Sequence, residues 1–204
     1  MPLPTFNIHG VLPPFTGQSP GLSAQELSPY LVQPVEVVNA FGTTPDRLDI
    51  LTRWIAHRDQ LRTLGITSGF QWLDGSFVEK KAPKDLDVVT FFLRPRAVNA
   101  HDMVQMMQQN PTVFLRGQIK ATYRLDAFWV DLNARPEAVV DSTRYFCGLF
   151  SHRRGDFLWK GMLRVDLTAK AADDVAVAAI QQAAALQSIT TAVPTSAPAG
   201  PPAP

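Results

Sequence analysis

The sequence predicts an α+β fold built on a small mixed β-sheet with helices, and three observations carry that expectation. The chain has 204 residues, 46% hydrophobic and 18% charged, enough for one packed core and too few for two comfortable domains. Stretches with apolar residues at helical spacing alternate with short runs of β-branched and aromatic residues. The seventeen prolines also fall into two blocks, seven in residues 1–34 and five in the last eleven, leaving the middle of the chain to fold with few interruptions.

Pro2, Pro4, Pro13, Pro14, Pro20, Pro29 and Pro34 break helices and central strands, so residues 1–34 read as an irregular arm. Its Phe6, Val11, Leu12, Phe15 and Leu31 are expected to pack on the core. The folded domain follows over residues 35–166. Thr44-Pro45-Asp46 has a capping hydroxyl, a proline at the first helical position and an acid in the first turn. Leu48, Leu51, Trp54, Ile55, Leu61 and Leu64 continue at helical spacing until Gly65 closes the helix. Residues 69–74 and 85–93 read as strands, 99–109 as a helix ended by Asn110-Pro111, 115–123 as another helix, and 126–132 as a third strand. Residues 144–150 and 157–166 read as a hairpin around Arg153-Arg154-Gly155-Asp156. Ala-rich residues 169–188 favour a helix, within a C-terminal helical segment 167–190. Residues 191–204, with no large apolar side chain from Pro194 onward, read as a disordered Pro/Ala tail.

Nineteen Lys+Arg against eighteen Asp+Glu give a net charge of +1, which argues against a protein that coats nucleic acid or a membrane surface by bulk charge. The single cysteine, Cys147, excludes an intrachain disulfide. Neither a secretory leader nor a run of about 18 apolar residues is present, so a soluble cytoplasmic protein without membrane contact is the expectation.

The chemistry concentrates in Trp72-Leu-Asp-Gly-Ser-Phe-Val-Glu-Lys-Lys-Ala-Pro-Lys-Asp-Leu-Asp-Val-Val89. One strand runs into Gly75-Ser76, and the next opens with Asp85-x-Asp87. Alternation along a strand puts Asp85 and Asp87 on one face, followed there by Val89 and Phe91. Two such carboxylates repel and raise each other's proton affinity, and a hard divalent cation, Mg²⁺ or Mn²⁺, relieves this. Gly75 permits close backbone approach and Ser76 adds a hydroxyl, a pairing suited to phosphate. Lys80, Lys81 and Lys84 place positive charge beside it. Either fragment alone also describes an ordinary turn or a solvated strand start, so the specific feature is their order on consecutive strands.

In that order the segment resembles the polymerase-beta-like nucleotidyltransferase superfamily. The resemblance implies that Gly75 and Ser76 contact a nucleotide's phosphates. It also implies that Asp85, Asp87 and a third acid on a later strand hold two metal ions. By their positive charge, Lys81, Lys84 and Lys160 are the candidates for nucleotide binding beside them. The third acid is Asp126 or Asp131. Five residues apart on one strand, they face opposite sides, and Asp126, which opens the hydrophobic run, fits the family pattern better. Only residues 77–84 separate Ser76 from Asp85, so any helix between them is short or absent. A narrower resemblance over about residues 5–166 rests on Gly10-Val-Leu-Pro-Pro14, Arg47, Leu51, Leu73-Asp-Gly-Ser-Phe-Val78, Lys81, Pro83 and Lys160-Gly161. These look like a poorly characterised group of short bacterial proteins of that superfamily.

What is implied is transfer of a nucleoside monophosphate from an NTP to an acceptor hydroxyl on a protein, an RNA or a small molecule, with a toxin–antitoxin or phage-defence setting. Two alternatives stand beside it: a non-catalytic member that binds a nucleotide or a partner protein, and a metal-dependent phosphohydrolase.

Ser151-His152-Arg153-Arg154-Gly155, with Arg144 and Lys160, reads as a phosphate- or acceptor-binding patch or as a solvated hairpin tip. Trp72, Phe128 and Trp129 read as core, with base stacking as the alternative. Cys147 reads as a buried structural thiol. Ser76 lacks the context of a hydrolase nucleophile. His9, His57, His101 and His152 lack zinc-ligand spacing, and Met103, Met106 and Met107 read as core filling.

Overall fold

A computed structural model describes residues 3–17, 23 and 26–192. Its elements are β1 (Tyr30–Leu31), α1 (Pro34–Phe41), α2 (Pro45–Thr63), β2 (Gly69–Asp74), a 3-10 turn (Gly75–Val78), β3 (Leu86–Phe92) and α3 (Ala100–Gln109). They continue with α4 (Pro111–Phe114), α5 (Arg116–Tyr123), β4 (Leu125–Asp131), α6 (Pro136–Phe150), β5 (Leu163–Asp166) and α7 (Lys170–Ala192). The strands form one sheet in the order β1-β5-β2-β3-β4. β1 with β5 and β3 with β4 are parallel, while β5 with β2 and β2 with β3 are antiparallel. The chain thus has the α+β class and small mixed sheet that its sequence predicts.

Local chemistry explains most boundaries. The Thr44 hydroxyl accepts from the Arg47 amide and Pro45 opens α2; the Asn99 side chain accepts from the Asp102 amide and opens α3. Three expectations are corrected. The arm is not irregular throughout, because Tyr30 and Leu31 pair with Leu163 and Arg164 at the sheet edge. Pro34 starts a helix instead of preventing one: it occupies the first turn of α1, where no amide is needed, and the Gln33 amide donates to the Glu36 carboxylate at 2.7 Å. Residues 144–150 are the end of helix α6, not a strand of a hairpin. Pro136 opens that helix, and Phe146 and Phe150, four apart, bury on one side of it. Of 157–166, only Leu163–Asp166 is a strand; the turn at 153–156 is closed by a single bridge, His152 with Trp159. α7 runs to Ala192, and the rest of the tail lies outside the described residues.

The two sheet faces bury different partners. Leu73, Leu86, Val88, Leu125 and Ala127 pack with Leu51, Trp54, Ile55, Ile119 and Ala176 from α2, α5 and α7. Trp72, Val89, Phe91 and Val130, of the opposite parity, pack with Phe146 and Phe150 of α6. Arg58 of α2, fully buried, pins α7: its Nε donates to Asp173 at 2.9 Å, its Nη1 to Gln71 Oε1 at 3.0 Å and its Nη2 to the Asp166 carbonyl at 2.7 Å. Asp173→Ala strands that buried guanidinium and is expected to cost about 3–5 kcal/mol, read as a lower urea midpoint with an unchanged slope.

His57 is buried, its Nε2 2.9 Å from the Val113 carbonyl, and burial pushes its pKa down to about 4, so the ring is neutral and Nε2 carries the proton. Among the described residues, no helix is long and apolar enough to cross a membrane.

Candidate functional site

Register creates the site. In the β2–β3 ladder Asp74 lies opposite Asp87, and in the β3–β4 ladder Asp87 lies opposite Asp126. Directly opposed residues project from the same face with β-carbons about 4.5–5.5 Å apart, so three carboxylates stand side by side across three strands. They continue the α6-covered face beyond its apolar part and floor a cleft of about 270 Å³.

Gly75 turns the chain away from β2 with φ +76, and a β-carbon there would stand 1.7 Å from Asp87 Oδ2. The missing side chain is therefore the space that the central carboxylate occupies. Ser76 lines the cleft beside it. The turn is anchored from behind by Lys160, buried, whose Nζ lies 3.1 Å from the Gly75 carbonyl, 3.1 Å from Glu79 Oε1 and 3.2 Å from Asp74 Oδ1. Gly161 lets this segment pass close to the arm: its amide donates to the Leu12 carbonyl, and a β-carbon would meet the Pro13 oxygen at 2.4 Å.

The connection 79–84 carries no helix. Arg47 holds it instead, reaching from the start of α2 to donate to the carbonyls of Phe77, Glu79 and Lys81, each at 2.7 Å. From the arm, Val11 bridges Glu79, and the Gly10 carbonyl accepts from the Lys80 amide at 2.7 Å. Arg47→Ala leaves three carbonyls without their charged donor and is expected to cost about 3 kcal/mol or more, with enhanced proteolytic cleavage between residues 79 and 84. Arg47→Lys, lacking the planar fork, recovers only part of this.

Charge is unevenly shared in the cleft. Burial, reinforced by the negative charges of Asp85 and Asp126, pushes the Asp87 carboxyl up to about 6. Burial pushes Asp74 up to about 7 against the pull of Lys160. Asp126 is held below the usual carboxylate range by Arg116 of α5, whose Nε and Nη2 both donate to it, the latter at 2.7 Å. One turn further along α5, Lys120 Nζ lies 2.7 Å from Asp85 Oδ2 and 4.0 Å from Asp126 Oδ2.

Gly75, Ser76, Lys81, Asp85, Asp87, Asp126 and Lys160 of the sequence-derived set thus line one cleft. Lys81 pairs with Glu79 Oε2 at 2.7 Å. Lys84 does not line the cleft; its carbonyl accepts from Arg124 at 3.1 Å. Of the alternative third acids, Asp126 joins the row, whereas Asp131 ends β4 opposite Phe92 and pairs with Arg94 at 2.7 Å. Arg153 is committed to Asp156 and the His9 carbonyl, while Arg154 lines the cleft and has no ion pair or hydrogen bond among the described residues. Arg144 sits on the exposed side of α6, 3.8 Å from Asp141. Trp72 and Trp129 pack in the core, on opposite faces of the sheet; Phe128 packs against Phe146 and under the Arg116 guanidinium. Cys147 is half-buried, and burial raises its pKa.

Sequence reasoning missed Asp74, Glu79, Arg116 and Lys120. Arg116 and Lys120 did leave a signal, four apart on a short helix just before the third acid, which places both on one side of it.

Among the described residues, no three His, Cys, Asp or Glu side chains gather as a group that could hold a metal ion; Asp85 and Asp126 are held by Lys120 and Arg116. The donor set still fits a hard divalent cation, since it is all carboxylate oxygen and its central member, Asp87, carries raised proton affinity from its acidic neighbours. Residues 4–166 match the model of DUF6932, a family of unknown function. No curated protein matches the chain.

Proposed function

The chain belongs to the DUF6932 family, and we propose that it is a metal-dependent nucleotidyltransferase of the polymerase-beta-like kind, moving a nucleoside monophosphate from an NTP to an acceptor hydroxyl. The observation that carries this reading is the contact between the Gly75-Ser76 turn and Asp87, with Asp126 in register beside it. A Gly-Ser turn suited to phosphate and a row of carboxylates meet at one point, which supports in-line transfer.

Asp85, Asp87 and Asp126 would hold Mg²⁺ or Mn²⁺. When bound, such ions neutralise charge on the phosphates and lower the pKa of an attacking hydroxyl. Ser76 offers its hydroxyl to a phosphate oxygen. Arg154 lines the cleft without a hydrogen bond of its own among the described residues, and its positive charge acts on Asp87 and Asp126. Lys160 has three protein oxygens as neighbours, so beside the nucleotide it sets the position of Gly75 and neutralises Asp74 and Glu79.

The test is incubation with Mg²⁺ or Mn²⁺ and each NTP labelled at the α-phosphate, alone and with cell RNA or lysate. Label joining an acceptor with release of pyrophosphate is the expected result. Release of inorganic phosphate alone supports the phosphohydrolase instead. A second reading, nucleotide or partner binding without turnover, is favoured by one observation, the occupation of Asp85 and Asp126 by Lys120 and Arg116. It is supported if nucleotide binds and no product of either kind forms.

A further inference from the structure

We infer that Arg116 on Asp126 and Lys120 on Asp85 stand where metal ions would bind and pass to the nucleotide's phosphates when the ions enter, so that divalent cation and triphosphate bind together. This rests on the nucleotidyltransferase reading and deepens it by assigning two nucleotide-binding residues.

Four observations support the exchange. The two cations hold the outer acids: Arg116 forks onto Asp126 and Lys120 reaches Asp85, while neither takes Asp87. They lie one helical turn apart on α5 and so approach the cleft from one side. Their side chains are 59% and 53% exposed while the acids they hold are 12% and 20% exposed, so the cations are free to swing outward and the acids stay in the cleft. Finally, neither is tied to a second acid closely enough to hold it elsewhere, the next carboxylate being Asp126 at 4.0 Å from Lys120. The planar fork of Arg116, resting over the Phe128 ring at 4.7 Å, suits two phosphate oxygens as well as it suits a carboxylate.

Charge then dictates the order of events. A metal ion entering alone must expel two cations and leave them beside a new positive charge. A triphosphate entering alone meets carboxylates. If both entered together, Asp85 and Asp126 would hold the metal and Arg116 and Lys120 would turn to the phosphates, so each ligand would raise the affinity for the other.

Titration calorimetry on the full-length protein separates the outcomes, with Mn²⁺ alone and then with a preformed complex of Mn²⁺ and a non-hydrolysable NTP analogue. The variants are Arg116→Ala, Lys120→Met and the double substitution, all at exposed positions, with Arg116→Gln as a milder form. The double variant is expected to bind Mn²⁺ alone about tenfold or more tighter than the wild type, and the complex about tenfold or more weaker. A double variant that binds Mn²⁺ no more tightly, or the complex no more weakly, overturns the exchange. Asp87→Asn reports on the underlying reading: if it binds the complex as tightly as the wild type, the metal site itself is overturned, whatever the Arg116 and Lys120 variants do.

Discussion

Asp87→Asn is expected to lower the rate of nucleotidyl transfer by about a thousandfold or more while leaving the protein folded, and at neutral pH more stable than the wild type. The two effects share a cause. Asp87 lies between Asp85 and Asp126, and its carboxyl is raised from 3.8 to about 6 by burial and by their charges. An acid with raised proton affinity makes the folded state bind more protons than the unfolded state between those values. Its contribution to stability is therefore full below about pH 3.8 and is lost as the pH climbs through about 6. At about 1.4 kcal/mol per unit the penalty above that window is at most about 3 kcal/mol. The amide removes it, so the variant and the wild type should unfold at similar urea concentrations near pH 4, with the variant pulling ahead by pH 8. A structural residue of the core would give the opposite pattern.

Gly75→Ala should be nearly as damaging to activity, by a different route. With φ +76, an alanine at this position is strained by about 1–2 kcal/mol. The larger consequence is steric, because the new methyl group would lie 1.7 Å from Asp87 Oδ2 and must push the carboxylate out of the row. Transfer should fall by about a hundredfold or more, with only a small drop in the unfolding midpoint. Ser76→Ala serves as the comparison: it removes one hydroxyl and moves nothing, so its loss should be milder. Equal losses in the two variants would mean that Gly75 acts as a hinge for Ser76 and not as the space for Asp87.

The parts of the molecule legible in the sequence are those fixed by neighbours in the chain. Thr44-Pro45 sets the start of α2, strand alternation puts Asp87 on the face of Val89 and Phe91, and the short link after Ser76 holds no more than the end of the 3-10 turn. The same alternation separates Asp126 from Asp131. What was not legible depends on distant partners or on competing local rules. β1 is two residues long and exists only because β5, more than 130 residues later, pairs with it. Pro34 breaks a helix in general and begins one here, since its missing amide falls in the first turn. The aromatic run Tyr145-Phe146 has strand propensity, and burial of Phe146 and Phe150 on one side overrides it. Asp74 entered the row through cross-strand register, and Lys160 reached Gly75 across 85 residues of sequence. It is buried between Asp74 and Glu79 and anchors the turn while lining the cleft.

The central claim is that the row around Asp87 binds divalent metal with a nucleotide on the Gly75-Ser76 turn. A crystal of the protein grown with Mn²⁺ and a non-hydrolysable NTP tests it most directly, through the anomalous signal of the metal. The expected result is Mn²⁺ coordinated by Asp87 together with Asp85 or Asp126, and phosphate oxygens against Ser76. Mn²⁺ bound only elsewhere, or a nucleotide seated away from this cleft while Arg116 still grips Asp126, would contradict it.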